Sequence, residues 1–414
     1  MRPSRTTPHS RRAPSPGRLL GGALLAFQSA LALATGYLLG LLVAARRARG
    51  EAAEPVGGDR GSLRLLTLIP AHDEEGDIEG TLAALAECEY PTALRRTVVI
   101  ADNCDDRTAE RAAAAGAEVW ERHDPSRRGK GHALIWAFER LGAEGAAVDG
   151  IVVLDADCLP SPNLLSAVNR SLRGGARALQ VDYVVGNPEA SPASALRFAA
   201  FALMNTVRFQ GKQRLGFSCG LVGTGMAFDA ELLRRQPWTT TGLTEDDEYH
   251  MRIVLAGERA EFVADASVSS AMPTSLRGSS NQQARWEQGK LQLIRRWTPS
   301  LLLSGLTRRD PVRIHAALEC LVPPQSLIAA GSAASAAAGL LLGRRRLLSL
   351  SLATLAAQLT FVLAGLRLVR APAYVYRALL GAPMLIGAKL GLYARLLGGR
   401  GPSAWVRTER EGRG

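Results

Sequence analysis

Asp155 and Asp157 stand one residue apart at the end of the apolar run Gly150-Ile151-Val152-Val153-Leu154. Two carboxylates at that spacing, with neighbouring positions left open, suit a hard cation shared with phosphate oxygens, Mg²⁺ or Mn²⁺. A capping loop with two solvated acids is the other reading, and this stretch alone leaves both open. A second acidic run, Thr244-Glu245-Asp246-Asp247-Glu248, predicts a helix through Leu255 with Thr244 as its N-cap. Acids in a first helical turn are often only partners of the helix dipole. Lys130, within Arg127-Arg128-Gly129-Lys130-Gly131, suggests a phosphate contact near a helix N-terminus. It is not a P-loop lysine, because no Ser or Thr follows it. Gln282-Gln283-Ala284-Arg285-Trp286 lies in a Gln-rich amphipathic helix, where Trp286 alone could be an interfacial anchor.

The elements that must position these residues alternate. The run before Asp155 reads as a strand buried on both faces, and Ser161-Pro162 as the cap and first residue of the next helix. Upstream, strands are predicted at 65–70, 97–101 and 118–120, and helices at 77–88, 108–115 and 130–141. That alternation implies a parallel sheet with helices on its faces. Three strands end in acidic or polar clusters: His72-Asp73-Glu74-Glu75, Asp102-Asn103 and Asp155-Ala156-Asp157. In open α/β sheets ligands bind beyond the carboxyl ends of the strands. One such loop would be unremarkable; three along one edge make a site.

The chain has 414 residues and a formal net charge of +12, with Lys130, Lys212, Lys290 and Lys389 its only lysines. Many arginines flank apolar runs, which fits a membrane surface. The basic residues do not alternate with aromatics, which argues against nucleic acid. Five scattered cysteines without Cys-x-x-Cys spacing argue against a disulfide framework or a zinc site. Residues 1–18 read as a disordered basic N-terminus. The uncharged stretch 19–44 would span about 39 Å as a helix, enough to cross a bilayer. A linker at about 50–61 leads to the α/β region, and 321–366 reads as a transmembrane hairpin. The last apolar run, between Arg377 and Lys389, is short for a span and reads as an interfacial helix or a third C-terminal membrane helix within 372–397. A basic tail, 398–414, closes the chain.

Taken in order, these motifs resemble the membrane-bound family 2 glycosyltransferases, which include cellulose, hyaluronan and chitooligosaccharide synthases. The resemblance covers roughly residues 62 to 300. It implies a cytosolic domain of the GT-A type, an α/β fold whose mixed, mostly parallel sheet carries helices on both faces, with transmembrane helices at both ends. Glu74 and Asp102 match positions that hold the uracil and ribose of a UDP-sugar, and Lys130 a basic residue near the diphosphate. Asp155 and Asp157 match the motif that holds the sugar nucleotide, with the divalent metal on Asp157 and shared by Asp155. Asp246 matches the general base, with Glu245 beside the acceptor. Gln282 and Arg285 match residues facing the diphosphate, and Trp286 one that stacks under the acceptor sugar. His72-Asp73-Glu74 stands where Tyr-Asn-Glu is common, and Asn103-Cys104 follows Asp102 where a second Asp is common; both departures loosen the inference of uracil.

The chemistry agrees independently. Glycosyl transfer needs a base for the acceptor hydroxyl and a metal for the departing diphosphate. The expectation is an inverting transferase of a bacterial inner membrane, with its catalytic domain in the cytoplasm. It would move a sugar from a nucleotide-sugar donor to a saccharide or lipid-linked acceptor, in polysaccharide or glycoconjugate synthesis. It would contact membrane lipid and leave export to a partner. A nucleotidyltransferase of the same fold and a non-catalytic membrane scaffold that binds nucleotide-sugar are the competing readings.

Overall fold

In the computed structural model the described residues are 16–50, 62–145, 147–274 and 280–397, with the side chains of 16, 18, 48–50, 280–283, 285, 396 and 397 left aside. The expected N-terminal tail up to residue 15, nearly all of the linker and the basic tail fall outside them.

The first half of the α/β region follows the predicted alternation. Strand β1 (Leu65–Ala71) lies between β2 (Arg95–Asp102) and β4 (Gly150–Val153), parallel to both, and β3 (Glu118–Arg122) pairs parallel with β2. The connecting helices are α2 (Ile78–Ala86), α3 (Thr108–Ala114) and α4 (Lys130–Glu144). Because side chains alternate across a strand, Val152 and Leu154 pack into one core with Ile69 and Val99, while Ile151 and Val153 pack into a second with Leu68 and Ile100. The run was legible as a strand for that reason: both of its faces are buried.

Beyond β4 the sheet becomes mixed, with antiparallel pairs flanking a parallel β6–β8 pair. After the short β5 (Cys158–Pro160) and α5 (Leu164–Arg173) come β6 (Ala178–Val185), α6 (Pro192–Phe201), α7 (Arg208–Arg214), β7 (Met226–Asp229), α8 (Ala230–Arg235), α9 (Glu245–Leu255) and β8 (Ala260–Ser270). The eight strands run in the order β3-β2-β1-β4-β7-β6-β8-β5, so the sheet is mixed. β7 is antiparallel to β4 and β6, and the β6–β8 pair breaks register between Val181 and Asp182. Leu164, Leu165 and Val168 of α5 cover one face, together with Leu82 of α2. Leu134 and Leu141 of α4 and Tyr249 and Ile253 of α9 cover the other. The helix expected to start at Ser161-Pro162 starts at Leu164 instead. Ser161 is spent on the β5–β8 pairing: its N–H donates to the Ser267 carbonyl (2.8 Å), and its hydroxyl accepts from the Ser267 N–H (3.0 Å).

Past β8, α10 (Ser280–Arg308) and α11 (Pro311–Cys320) form an antiparallel pair. Asp310 caps α11, accepting from the N–H groups of Val312 and Arg313. Buried Arg313 then donates to the last carbonyls of α9, Val254 at 3.2 Å and Leu255 at 2.8 Å.

The chain divides into two units, one formed by residues 1–39 with 323–361 and one by the remainder. The smaller unit contains most of α1 (Pro16–Gly50), α12 (Gln325–Leu341) and most of α13 (Arg345–Leu368). Its buried polar side chains pair with one another: Gln28 donates to Thr354 (2.9 Å) and Gln358 to Thr35 (2.8 Å). Such pairing is what a polar group needs among apolar helices. Among the described residues, three helices are long and apolar enough to cross a membrane: Leu19–Arg47, Arg345–Leu368 and Ala373–Arg395; α12 is shorter, at 17 residues. The final segment is longer than its eleven-residue apolar run suggests, because α14 (Ala373–Ala378) continues through a 3₁₀ turn into α15 (Ala382–Leu397).

Candidate active site

Three adjacent parallel strands, β2, β1 and β4, bring the three polar clusters together at one sheet edge, as their spacing predicted. The first two loops are knitted to each other. Asp73 and Asn103 both take positive φ (53° each), a costly conformation for residues with a side chain. Bonds between the loops hold it in place: Asp105 N–H to Asp73 (2.8 Å), Glu75 N–H to Asp106 (3.1 Å) and Arg107 N–H to Glu75 (3.1 Å). Glu74 is placed by its own N–H, which donates to Thr108 Oγ1 at 2.7 Å. Asp102 is buried rather than open to solvent. Its Oδ1 accepts from Arg122 Nη1 (2.5 Å) and from Asn103 Nδ2 (3.0 Å). Arg122, at the end of β3, was not singled out in the sequence; its alternation with Trp120 along that strand was the available signal.

At the end of β4 the Asp155 N–H donates to Thr224 Oγ1 (3.0 Å), and Lys130 at the start of α4 donates to Asp155 Oδ1 and to the Gly223 carbonyl (2.7 Å). Burial works against the Lys130 ammonium, but Asp155, Glu245 and Asp246 outweigh it and its pKa is raised. Gly223, at φ 87°, is where the constellation closes: a Cβ there would lie 3.3 Å from Asp246 Oδ2 and 3.7 Å from Lys130 Nζ. The turn around it, with Gly220, Gly223 and Gly225 all at positive φ, was also missed. Its glycines within six residues were the signal.

Asp155, Asp157 and Cys158 place their ligand atoms within 4.8 Å of one another. Burial, reinforced by Asp157 and Asp155, drives the Cys158 thiol well above its usual range, so it stays protonated and donates to Asp157 Oδ1 (3.6 Å). The two carboxylates offer a cation oxygen, the donor type that Mg²⁺ and Mn²⁺ prefer. A second group, Asp73, Cys104 and Asp106, is equally close. Its carboxylates already hold together the two loops they come from.

The acids of α9 face different surroundings. Burial first, and then the Asp246 charge, pushes Glu245 up to about 7 against the pull of Lys130. Burial and Asp247 raise Asp246. Asp247 is raised by burial too, but the charges pulling it down are Lys290 and Lys212. Lys212 and Arg208 of α7 hold Glu319 of α11 between them, at 3.0 and 2.7 Å. Thr244 occupies the expected N-cap position, but its side chain makes no capping bond. It is turned against α10 instead, where a Cβ on Gly289 would lie 2.5 Å from its Cγ2. The Thr240 hydroxyl reaches the same turn, donating to the Glu245 carbonyl at 2.8 Å.

Trp286 of α10 is 40% exposed and stands 6.3 Å from Phe201, which is 5.4 Å from Tyr183. The side chains of Gln282 and Arg285 lie outside the described residues.

The α/β sheet is mixed, and Asp155 and Asp157 lie beyond the end of its central strand; comparisons with known proteins give the family. The family described as "Glycosyltransferase like family 2" matches residues 64–289, more than half of the chain, and the chain belongs to it. A probable glycosyltransferase of Bacillus subtilis, YdaM, is 25% identical over 245 residues, 56% of each chain. The low-salt glycan biosynthesis hexosyltransferase Agl6 of Haloferax volcanii is 39% identical over 94 residues, 23% of this chain and 21% of its own. The chain thus spans about half or less of the length of these curated relatives. The mannosyltransferase PcManGT of Pyrobaculum calidifontis, solved with GDP-Man and Mn²⁺, superposes with a TM-score of 0.52 at 22% identity, covering 83% of this chain and 97% of its own. That likeness establishes the fold.

Proposed function

We propose that the protein is an inverting, metal-dependent glycosyltransferase at a membrane. The observation that carries this is the convergence of Lys130, Asp155 and Asp246 around Gly223, at the sheet edge where Asp157 also lies. Asp246 accepts the proton of the acceptor hydroxyl as that oxygen bonds to the anomeric carbon. The bond from that carbon to the diphosphate breaks on the opposite face, and the nucleoside diphosphate leaves with the electron pair. Asp157 and Asp155 would hold a divalent cation, which would supply charge neutralisation for the departing diphosphate, and Lys130 adds a fixed positive charge beside it. Glu74 and Asp102 border the nucleoside, with Arg122 locking Asp102 in place. Gln282 and Arg285 take the diphosphate from the α10 side. Trp286 offers a face to the acceptor sugar, and Glu245 is assigned to the acceptor as well.

UDP-, GDP- and TDP-sugars are all candidate donors, and the acceptor is a saccharide or a lipid-linked sugar. PcManGT holds GDP-Man with Mn²⁺, so Mn²⁺ belongs in the assay. The candidate spans support a membrane protein; the reading places it in the inner membrane with its catalytic domain in the cytoplasm and leaves export to a partner. A nucleotidyltransferase would have no use for Trp286.

The test is a panel of these donors with protein in lipid nanodiscs, read as hydrolysis and transfer. Asp246→Asn should bind donor normally and lose 10²- to 10⁴-fold in rate, the usual contribution of a general base. Asp247→Asn should keep its rate, because the cations that pull most on its carboxylate are Lys290 and Lys212. Wild-type transfer by Asp246→Asn would refute the assignment of the base.

A further inference from the structure

Lys389 sits in α15, within an apolar segment long enough to cross a membrane. A charge in such a place needs a partner, and intramembrane ionisable groups usually have a task. Its Nζ lies 2.7 Å from Glu287 Oε1, and Tyr393, one turn further along the same helix face, donates its hydroxyl to Glu287 Oε2. Both oxygens of Glu287, a residue 9% exposed, are thereby committed to α15. Glu287 is the residue after Trp286.

The same turn of α10 is gripped from two further directions. Gly289 presses on Thr244 at the start of α9, and Lys290 donates to the Val322 carbonyl at 2.9 Å. Successive helical residues point about 100° apart, so fixing the directions of 287, 289 and 290 fixes that of 286. Trp286 is the one that is left exposed, beside Phe201.

We infer that Lys389 and Tyr393 are positioning residues for the acceptor site: through Glu287 they set the angle at which Trp286 meets the acceptor sugar. This rests on the reading of Trp286 given under the proposed function. If the pair merely neutralised Lys389, its loss would lower stability and leave Trp286 where it is.

The experiment reads Trp286 directly. Acrylamide quenching of tryptophan fluorescence is measured in nanodiscs, and subtraction of the Trp286→Phe signal isolates the Trp286 component. Affinity for UDP with Mn²⁺ reports on the donor half of the site. Lys389→Met should change the quenching of Trp286 by about twofold and leave UDP affinity unchanged. Tyr393→Phe, which removes only a hydroxyl and should not threaten folding, should shift it less in the same direction. Lys389→Arg and the exchanged pair Glu287→Lys/Lys389→Glu should restore it. Transfer to an acceptor found in the donor panel should show a KM raised about tenfold in Lys389→Met with little change in kcat, since small misplacements of a positioning group are costly. Unchanged quenching in both single variants, or no recovery in the exchanged pair, overturns the inference while the acceptor reading of Trp286 stands. Wild-type acceptor KM in Trp286→Ala overturns that reading, and with it the purpose assigned to the pair.

Discussion

Gly289→Ala tests whether α10 sets the position of the acidic helix. The added Cβ would lie 2.5 Å from Thr244 Cγ2, 2.7 Å from Oγ1 and 3.1 Å from Cβ. Rotation about the Thr244 side chain can relieve the first two contacts but not the third, so backbone must give by several tenths of an ångström. Overpacking of this kind costs about 1–3 kcal/mol. The residue displaced precedes Glu245 and Asp246, and a misplacement of about 1 Å in a catalytic group can cost on the order of 10²-fold in rate. The expected outcome is a modest loss of thermal stability, a loss of about 10- to 100-fold in transfer, and unchanged affinity for UDP with Mn²⁺. Thr244→Ser removes the nearest carbon, so Gly289→Ala/Thr244→Ser should recover part of the activity. Full activity in the single variant would show that the α9–α10 contact does not place the base. So would a loss that Thr244→Ser leaves untouched.

Two more outcomes follow from the site. Asp157→Ala removes a carboxylate from the metal group and should lower transfer by about 10³-fold or more, several kcal/mol of leaving-group stabilisation; EDTA should silence the wild type, and full activity in EDTA would sink the metal assignment. Glu245 is raised from 4.5 to about 7, chiefly by burial, so the folded state holds this proton more tightly than the unfolded chain. Its contribution to stability is therefore present below about pH 4.5 and is lost as pH rises towards 7, by up to about 3 kcal/mol at about 1.36 kcal/mol per unit. Glu245→Gln should accordingly gain thermal stability over wild type at pH 8 and gain little at pH 4; a gap that widens towards acid would contradict the burial argument.

What could be read in the sequence was what repeats locally. The strands ending at Ala71, Asp102 and Val153 announced themselves because both faces are buried, and their acids because a parallel sheet places all its carboxyl ends on one side. Strands β6 and β8 were not read. Their pairing is broken in register at Val181, and burial is interrupted along both strands, so neither shows the continuous apolar run that marks β4. The Gly220–Gly225 turn carries no reactive side chain, yet it brings Lys130 and Asp246 to the same carbonyl and Cβ position.

Thr244 shows why residue type alone misleads. Threonine before a run of acids spells a cap, and the backbone obliges, but Gly289 has already claimed the side chain. By sequence Lys389 is only the flank of a short apolar run; in the fold its partner is a glutamate on another helix. The acidic run makes the same point for chemistry. Glu245, Asp246 and Asp247 are one string in the sequence, but a helix turns about 100° at each residue, so neighbours in the chain face different partners. Lys130 is among the charges that pull on Glu245 and Asp246, whereas Lys290 and Lys212 pull on Asp247. The first two thus feel the lysine that also holds Asp155. Of these, Asp246 alone has its carboxylate against Gly223, the residue whose carbonyl holds Lys130. That contact, more than the acidity of the run, is what singles out the base.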